Sequence, residues 1–526
     1  MFLFKKTVQR FMSAIFLFAL QPHHLKIINY AYLINFARVR DAQRPKASSN
    51  ATLASRAVMY HSALSRIMFR RRLILLLIIA TTFLFLSWWP SSSSKSSLRH
   101  SKDTSQLTEG FLYTQEDDTV ADQSGYKWED VPLSQSPLNT TFEDMPNLRA
   151  RILAFSNAFQ YSKSRKPVED AIRLLYPWLP VNEISVLRGK GRGLVYTFGD
   201  HDLALAYPLI VGMRLVHRCK LPIEIWYMGE EDLSASNREL LAKIPGVKCK
   251  DLTKVIDISI AGYGGWGAKP FALLASSFAE PIFMDADAVF FKDPSALYAH
   301  PGYIGTGAVF FHDRTSGWVG SAKDLQWLLS VIPNPSSRTY GSRYIYGKSQ
   351  HEQESGVVVI NKARVFPGLL AACLLNSKPW ASKVYQRVWG DKETFWIGFE
   401  MSGIPYAWNP GYGGAMGQFS GDKLRVCGRQ LAHGDHQGAL LWVNNGLRTP
   451  QKLPPSKHAQ PSIWMNDRSG FNLDWTTDGS DCLLATAGIP TELTAKEKQI
   501  WDAFVKIDAH LTAKGMDYPV ALELNI

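Results

Sequence analysis

Residues 281–294 read PIFMDADAVFFKDP. A short apolar run, Ile282, Phe283 and Met284, delivers two carboxylates, Asp285 and Asp287, before apolar residues resume at Val289, Phe290 and Phe291. Such a run predicts a strand buried on both faces, ending where the backbone leaves the sheet. In open α/β sheets ligands bind just beyond the carboxyl ends of the strands. Two carboxylates at that place are costly to desolvate unless positive charge offsets them. A hard divalent cation carrying phosphate oxygens answers that need. The stretch therefore predicts the metal–diphosphate site of an enzyme that uses a nucleotide-sugar. Asp-x-Asp alone is a weak signal; its place after an apolar strand with a helical segment before it is what strengthens it. An EF-hand is excluded, because glycine and a terminal Glu do not follow at that motif's offsets.

Upstream, residues 193–198, 223–228 and 247–252 read as strands, with helices over 203–218, 233–243 and 269–278. Alternating strands and helices predict a parallel, Rossmann-like sheet with the aspartates at its last strand–helix junction. A mostly helical segment over 145–179, with Leu148, Ile152, Phe155 and Phe159 at three- and four-residue spacing, precedes it. Downstream, 307–311 and 356–360 read as strands and 391–401 as a helix. Residues 405–417 read as a glycine-rich aromatic loop, and 418–526 as irregular until a helix over 494–512.

The N-terminal 144 residues read differently. Residues 73–89 are seventeen uncharged, mostly apolar residues preceded by Arg66, Arg70, Arg71 and Arg72. This predicts a single transmembrane signal anchor with residues 1–72 cytosolic. Residues 90–144, rich in Ser, Asp, Gln and Thr, suit a flexible lumenal stem, and 145–526 form the folded domain. Asn139-Thr140-Thr141 is a glycosylation sequon on the lumenal side, whereas Asn50 would be cytosolic and unused.

The chain has 526 residues, 46% of them hydrophobic, ample for a large core. Its net charge of +12 is concentrated in part before residue 100, and no nucleic-acid motif accompanies it. Five cysteines without a Cys-x-x-Cys argue against structural zinc, and in a secretory lumen they would permit one or two disulfides.

The blocks KPFALLASSFAEPIFMDADAVFFKDP, GTGAVFFHDR, QESGVVVINK, GDKETFWIGFEMSGIPYAW and LAHGDHQGALLW, in this order, resemble the fungal Golgi α-mannosyltransferases of the Mnn type over roughly residues 145–450. That resemblance implies a GT-A-type Rossmann-like mixed sheet flanked by helices, behind a single transmembrane helix and a flexible stem. It implies a retaining α-mannosyltransferase using GDP-mannose and Mn²⁺ (or Mg²⁺) on mannose-terminated glycans of glycoproteins. The linkage would be α-1,3, with α-1,2 the alternative, and the protein would sit in the Golgi membrane.

Carried over by residue, the resemblance assigns Asp285 and Asp287 to metal and donor, and Lys269 to the nucleotide. His433 or His436 would be the third metal ligand, His433 preferred, with Asp435 between them. Asp391, Glu393 and Glu354 are candidates for catalysis or for positioning the sugars. Gln353, Trp396 and Trp408 are candidates for the acceptor, with Tyr412 a further ring that could stack on mannose. For the acidic pair at the start of the 391–401 helix, capping and the helix dipole are a sufficient structural reason. A haloacid-dehalogenase-type phosphatase would also place Asp-x-Asp after a strand, but that fold opens with this strand. A membrane-anchored carbohydrate-binding protein would suit the 12% aromatic content and not the metal motif.

Overall fold

The computed structural model describes residues 145–161, 165–179, 188–315, 320–378, 380–449, 457–468, 470–472, 474–476, 481–515 and 517–518. The expected tail, anchor, stem and the Asn139 sequon lie outside them. Among the described residues no helix is long and apolar enough to cross a membrane.

Two helices, α1 (Met145–Tyr161) and α2 (Arg165–Leu175), lead into β1 (Arg192–Thr197), α3 (Leu203–Leu215), β2 (Ile223–Tyr227), α4 (Ala235–Ala242) and β3 (Val247–Asp251). Then come α5 (Ala268–Ala275), β4 (Glu280–Met284), β5 (Val289–Phe290), β6 (Ala308–His312), β7 (Gln353–Ile360), α6 (Lys362–Leu375), α7 (Thr394–Ser402) and β8 (Ala407–Trp408). Seven of these strands form one sheet in the order β3-β2-β1-β4-β7-β6-β8. Its described pairings are parallel except those of β7, which runs antiparallel to β4 and β6. The sheet is thus mixed α/β. Strand order reverses between β1 and β4, the kind of crevice in which such sheets bind ligands.

The apolar run before Asp285 is buried on two sides, as its lack of alternation predicts. Phe283 joins Phe310 and Val358 in a core roofed by α1, α2, α5, α6 and α7. Ile282 and Met284 join Val357 and Val359 in the opposite core, under α3 and the C-terminal helix.

That second face also receives an antiparallel sheet: β9 (Tyr412–Phe419), β10 (Arg425–Gly434), β11 (Leu440–Asn444), β14 (Ile463–Asp467), β15 (Cys482–Leu484) and β16 (Thr491–Glu492), with β5 at its edge. A small hairpin of β12 (Arg448–Thr449) and β13 (Lys457–His458) lies apart from both sheets. The helix α8 (Ala495–Lys514) closes the fold, its first turn fixed by a capping box between Thr494 and Glu497. It lies against α3 so closely that a Cβ on Gly212 would sit 2.0 Å from the Phe504 ring.

This second sheet corrects the expectation of a loop over 405–417 and irregular chain after 418. The glycines that suggested a loop are there for close backbone approach. A Cβ on Gly414 would lie 1.8 Å from the Met465 carbonyl oxygen, and one on Gly417 1.8 Å from that of Cys427. Cys427 and Cys482 face one another across β10 and β15 and form a disulfide, leaving Cys219, Cys249 and Cys373 as thiols.

Candidate active site

Residues 285–288 carry the chain from the first sheet to the second, since β4 pairs with β1 and β7 while β5 pairs with β11. Asp285 is fixed at this crossing by its backbone N–H, which donates to the Gly356 carbonyl of β7 at 2.8 Å. Its carboxylate meets Lys269 of α5, Nζ to Oδ1 2.9 Å. Lys269 also donates to Ser355 Oγ at 3.2 Å and lies 3.7 Å from Asp391 Oδ2, to which the Ser355 hydroxyl donates at 2.9 Å. Burial alone would lower the Lys269 pKa, but Asp285 and Asp391 outweigh it and hold the ammonium above its ordinary value. Burial raises the Asp391 carboxyl, Lys269 opposes that, and the nearby Asp285 adds to it. Asp287 is half-buried, with its carbonyl accepting from the Gly446 N–H at 2.8 Å.

A second charged group adjoins the first. Asp313, just past β6, is only 2% exposed and pairs with Lys392 at 2.7 Å. Lys392 is 3.8 Å from Glu354, and His351 Nδ1 is 3.6 Å from Asp313. Glu354 Oε1 accepts from the Gly356 N–H at 2.9 Å and from Asn444 Nδ2 at 3.2 Å, a tie to the second sheet. Burial pushes the Glu354 pKa up to about 7; Lys392 opposes this, and Asp313 and Asp285 add to it. Asp313, by contrast, is held well below the usual range, because Lys392 and His351 overcome the cost of its burial.

Of the predicted residues, the structure brings Lys269, Asp285, Glu354 and Asp391 together at the carboxyl ends of the parallel strands, with Asp287 two residues beyond Asp285. Others it places elsewhere. Glu393 is fully buried and turned toward β7: its Oε1 accepts from the Glu352 N–H at 2.9 Å and the Gln353 N–H at 3.3 Å, and Oε2 accepts from Trp396 Nε1. It anchors a strand end and is sealed from any substrate. Trp396, 1% exposed, is core rather than an acceptor platform. Gln353 is likewise sealed, its amide atoms without hydrogen-bond partners among the described residues. Trp408 stays half-buried, stacked on His312 at 4.2 Å, with Tyr412 on the same imidazole at 4.4 Å.

The expected metal set is not assembled. His433, on β10, stacks on Trp442 at 4.2 Å and meets the edge of Phe311. Burial pushes its pKa down to about 3, and the charges that act on it are those of Asp313, His312 and Lys392. His436 lies against His300, and Asp435 accepts from Lys292 and from the N–H groups of Gln437 and Ala439. Among the described residues no three His, Cys, Asp or Glu side chains are placed to hold a metal ion. His433 and His436 each lie in a ring pair, and the buried His433 Nε2 has no hydrogen-bond partner among the described residues.

A cation is still a good fit to the carboxylates. Asp285, Asp313, Glu354 and Asp391 outnumber Lys269 and Lys392 four to two, and Asp287 follows two residues beyond Asp285. Mg²⁺-like ions that carry substrate phosphates use one or two carboxylates and fill the remaining positions with water and phosphate oxygens, so Asp285 and Asp287 suffice. Sequence reading missed Asp313, Ser355, Lys392 and Asn444. Asp313 was within reach, since it follows an apolar strand just as Asp285 does. Lys392 was not, because its partners come from two other elements.

The family model described as "Mannosyltransferase putative" matches residues 191–435, which include every charged residue of the cluster. The Saccharomyces cerevisiae α-1,3-mannosyltransferase MNT3 is 29% identical over 319 residues, 52% of this chain and 48% of that protein. The putative α-1,3-mannosyltransferase MNN15 of Candida albicans is 30% identical, over 51% and 43%. The probable α-1,3-mannosyltransferase MNT4 of S. cerevisiae is 27% identical, over 60% and 59%. The chain spans about half the length of the curated relatives it matches. Among solved structures, galactosyltransferase LgtC aligns with a TM-score of 0.29 at 11% identity, over 41% of this chain and 73% of that one. Mouse xyloside xylosyltransferase 1 gives 0.28 at 12%, over 40% and 82%. Likeness of that size carries no functional inference. The sequence matches are of another kind: through residues 191–435 the chain resembles the fungal Mnn-type mannosyltransferases.

Proposed function

We propose that this protein is a retaining, metal-dependent α-mannosyltransferase that moves mannose from GDP-mannose to mannose-terminated glycans of glycoproteins, forming α-1,3 linkages. The observation that carries this reading is the carboxylate excess at the strand ends beside the β1/β4 switch point, with Asp285 held by Lys269. The α-1,3 preference follows the names of the relatives. The mixed sheet with Asp-x-Asp at the end of β4 suits a GT-A-type enzyme.

Asp285 and Asp287 would hold Mn²⁺ or Mg²⁺, which when bound supplies Lewis-acid neutralisation of the diphosphate leaving group. Lys269 contacts both carboxylate oxygens of Asp285 and holds that side chain at the crossing. Asp391, buried and steadied by the Ser355 hydroxyl, shares Lys269 with Asp285 and so positions the donor-binding carboxylate. Glu354, with its pKa near neutrality, can hold a proton or a negative charge beside the reacting sugar. Lys392 is shared between Asp313 and Glu354 and keeps the two carboxyls from repelling one another.

The Cys427–Cys482 disulfide supports a lumenal, oxidising compartment. Together with the apolar 73–89 segment it supports a single-pass type II protein of the Golgi membrane. The test is incubation of the purified 141–526 fragment with GDP-mannose, Mn²⁺ and α-mannobiose, followed by linkage analysis. An α-1,3-linked mannotriose is the expected product. Release of free mannose or phosphate without a trisaccharide would overturn the assignment.

A further inference from the structure

Large apolar side chains are mostly hidden in this fold, yet two tryptophans close in sequence to residues of the carboxylate cluster are not. Trp266 is 63% exposed and Trp389 48% exposed. Each sits just ahead of a charged residue already described: Trp266 three residues before Lys269, in the tight turn Gly265–Gly267, and Trp389 two residues before Asp391. The two turns touch. Gly390 has φ +64°, and a Cβ there would lie 3.2 Å from Trp266 Cε3, so the indole of Trp266 rests on the backbone that joins Trp389 to Asp391. Tyr385, itself 36% exposed, adjoins the Trp266 turn: its hydroxyl donates to Asn376 Oδ1, and a Cβ on Gly267 would come within 3.0 Å of the Tyr385 hydroxyl oxygen. On its other flank Trp389 lies 6.1 Å from the His351 ring, which leads to Asp313.

Exposed aromatic surface next to a polar, charged rim marks a ligand site more often than an accident of packing. Tryptophan offers a wide, stiff face with few rotors to freeze, and the electron-rich ring face attracts the C–H face of a pyranose. We propose that Trp266 and Trp389, with Tyr385 behind them, form the platform on which a mannopyranose ring of the acceptor stacks. This rests on the transferase reading for the identity of the sugar.

A nucleobase could also stack on tryptophan, but placement favours the acceptor. The nucleotide belongs at the switch point between β1 and β4. Trp389 lies beside His351 at the entry to β7, the strand that adjoins β4 on the side away from β1.

The experiment measures α-mannobiose binding by saturation-transfer NMR and GDP binding by calorimetry with Mn²⁺, on wild type, W266A, W389A and W389F. The expected result is mannobiose affinity weakened by about tenfold in each alanine variant and largely kept in W389F, with GDP affinity near wild type. Both tryptophans are exposed, so melting temperature should be preserved and serves as the folding control. Loss of GDP affinity with mannobiose binding intact would make the platform a base site and overturn the proposal. So would wild-type protein that does not bind mannobiose, or mannobiose binding indifferent to both alanine variants. A platform effect in protein that fails to transfer from GDP-mannose would sink the donor assignment and leave the platform standing.

Discussion

Asp391 and Glu393 stand two residues apart in one sequence block, and the structure gives them opposite tasks. Asp391 meets Lys269 and Ser355 at the strand ends, while Glu393 turns inward to hold the start of β7. Asp391→Asn keeps the shape and removes the charge, so transfer should fall by roughly 10²-fold with melting temperature unchanged or higher, since crowding with Asp285 is relieved. Glu393→Ala strands the N–H groups of Glu352, Gln353 and Trp396. It should cost about 2–4 kcal/mol of stability, read by urea unfolding. If Glu393→Ala were stable and inactive while Asp391→Asn stayed active, the two roles would be reversed. Helix-start acidity made both residues look alike in sequence. What separates them is the direction of the side chain, and that is set by β7, which lies about forty residues away in the chain.

Among the elements, α5 is the one that delivers Lys269, and its C-terminal end is held by another lysine. Lys362, fully buried at the start of α6, donates to the carbonyls of Leu274 at 3.1 Å and Ser276 at 2.6 Å. Burial pushes its pKa down to about 7, with Glu224 opposing and Lys250 adding. Because the unfolded chain keeps this proton up to its ordinary, higher pKa, unfolding takes up a proton above pH 7. This group therefore makes stability rise with pH from about 7 until the unfolded lysine itself titrates, near 10.4. Lys362→Met should abolish that rise and, by orphaning two carbonyls, cost about 1–3 kcal/mol at pH 8. A variant that unfolds with the wild-type pH profile would contradict the assignment. In the second sheet, the disulfide joins β10 to β15 across 55 residues, a loop whose closure entropy corresponds to roughly 4 kcal/mol. Cys482→Ser should lower the melting temperature by several degrees, and reductant should do the same to wild type only. Strands β1 to β4 were legible because apolar runs alternate there with helical segments. Strands β9 and β10 were not, because Gly414, Gly417 and Gly428 dilute the apolar pattern where backbones pack closely.

At the scale of the whole molecule, the charged cluster exists only because distant segments meet. Asp285 ends β4, Asp313 ends β6, Glu354 opens β7, Lys269 comes from α5, Lys392 from the turn before α7, and Asn444 from the second sheet. The Asp-x-Asp motif could be read locally, since one strand end makes it. The partners of Lys392 and the packing of His433 against Trp442 could not, because they depend on how two sheets face one another. The central claim is that Asp285 and Asp287 hold a divalent cation that the diphosphate shares. It is tested most directly by calorimetric titration of GDP into the purified 141–526 fragment, with Mn²⁺ and with chelator, for wild type, Asp287→Asn and His433→Ala. The account predicts Mn²⁺-dependent GDP binding that Asp287→Asn weakens by at least about tenfold and His433→Ala leaves largely intact. GDP binding equally well in chelator, or surviving Asp287→Asn while failing in His433→Ala, would contradict it.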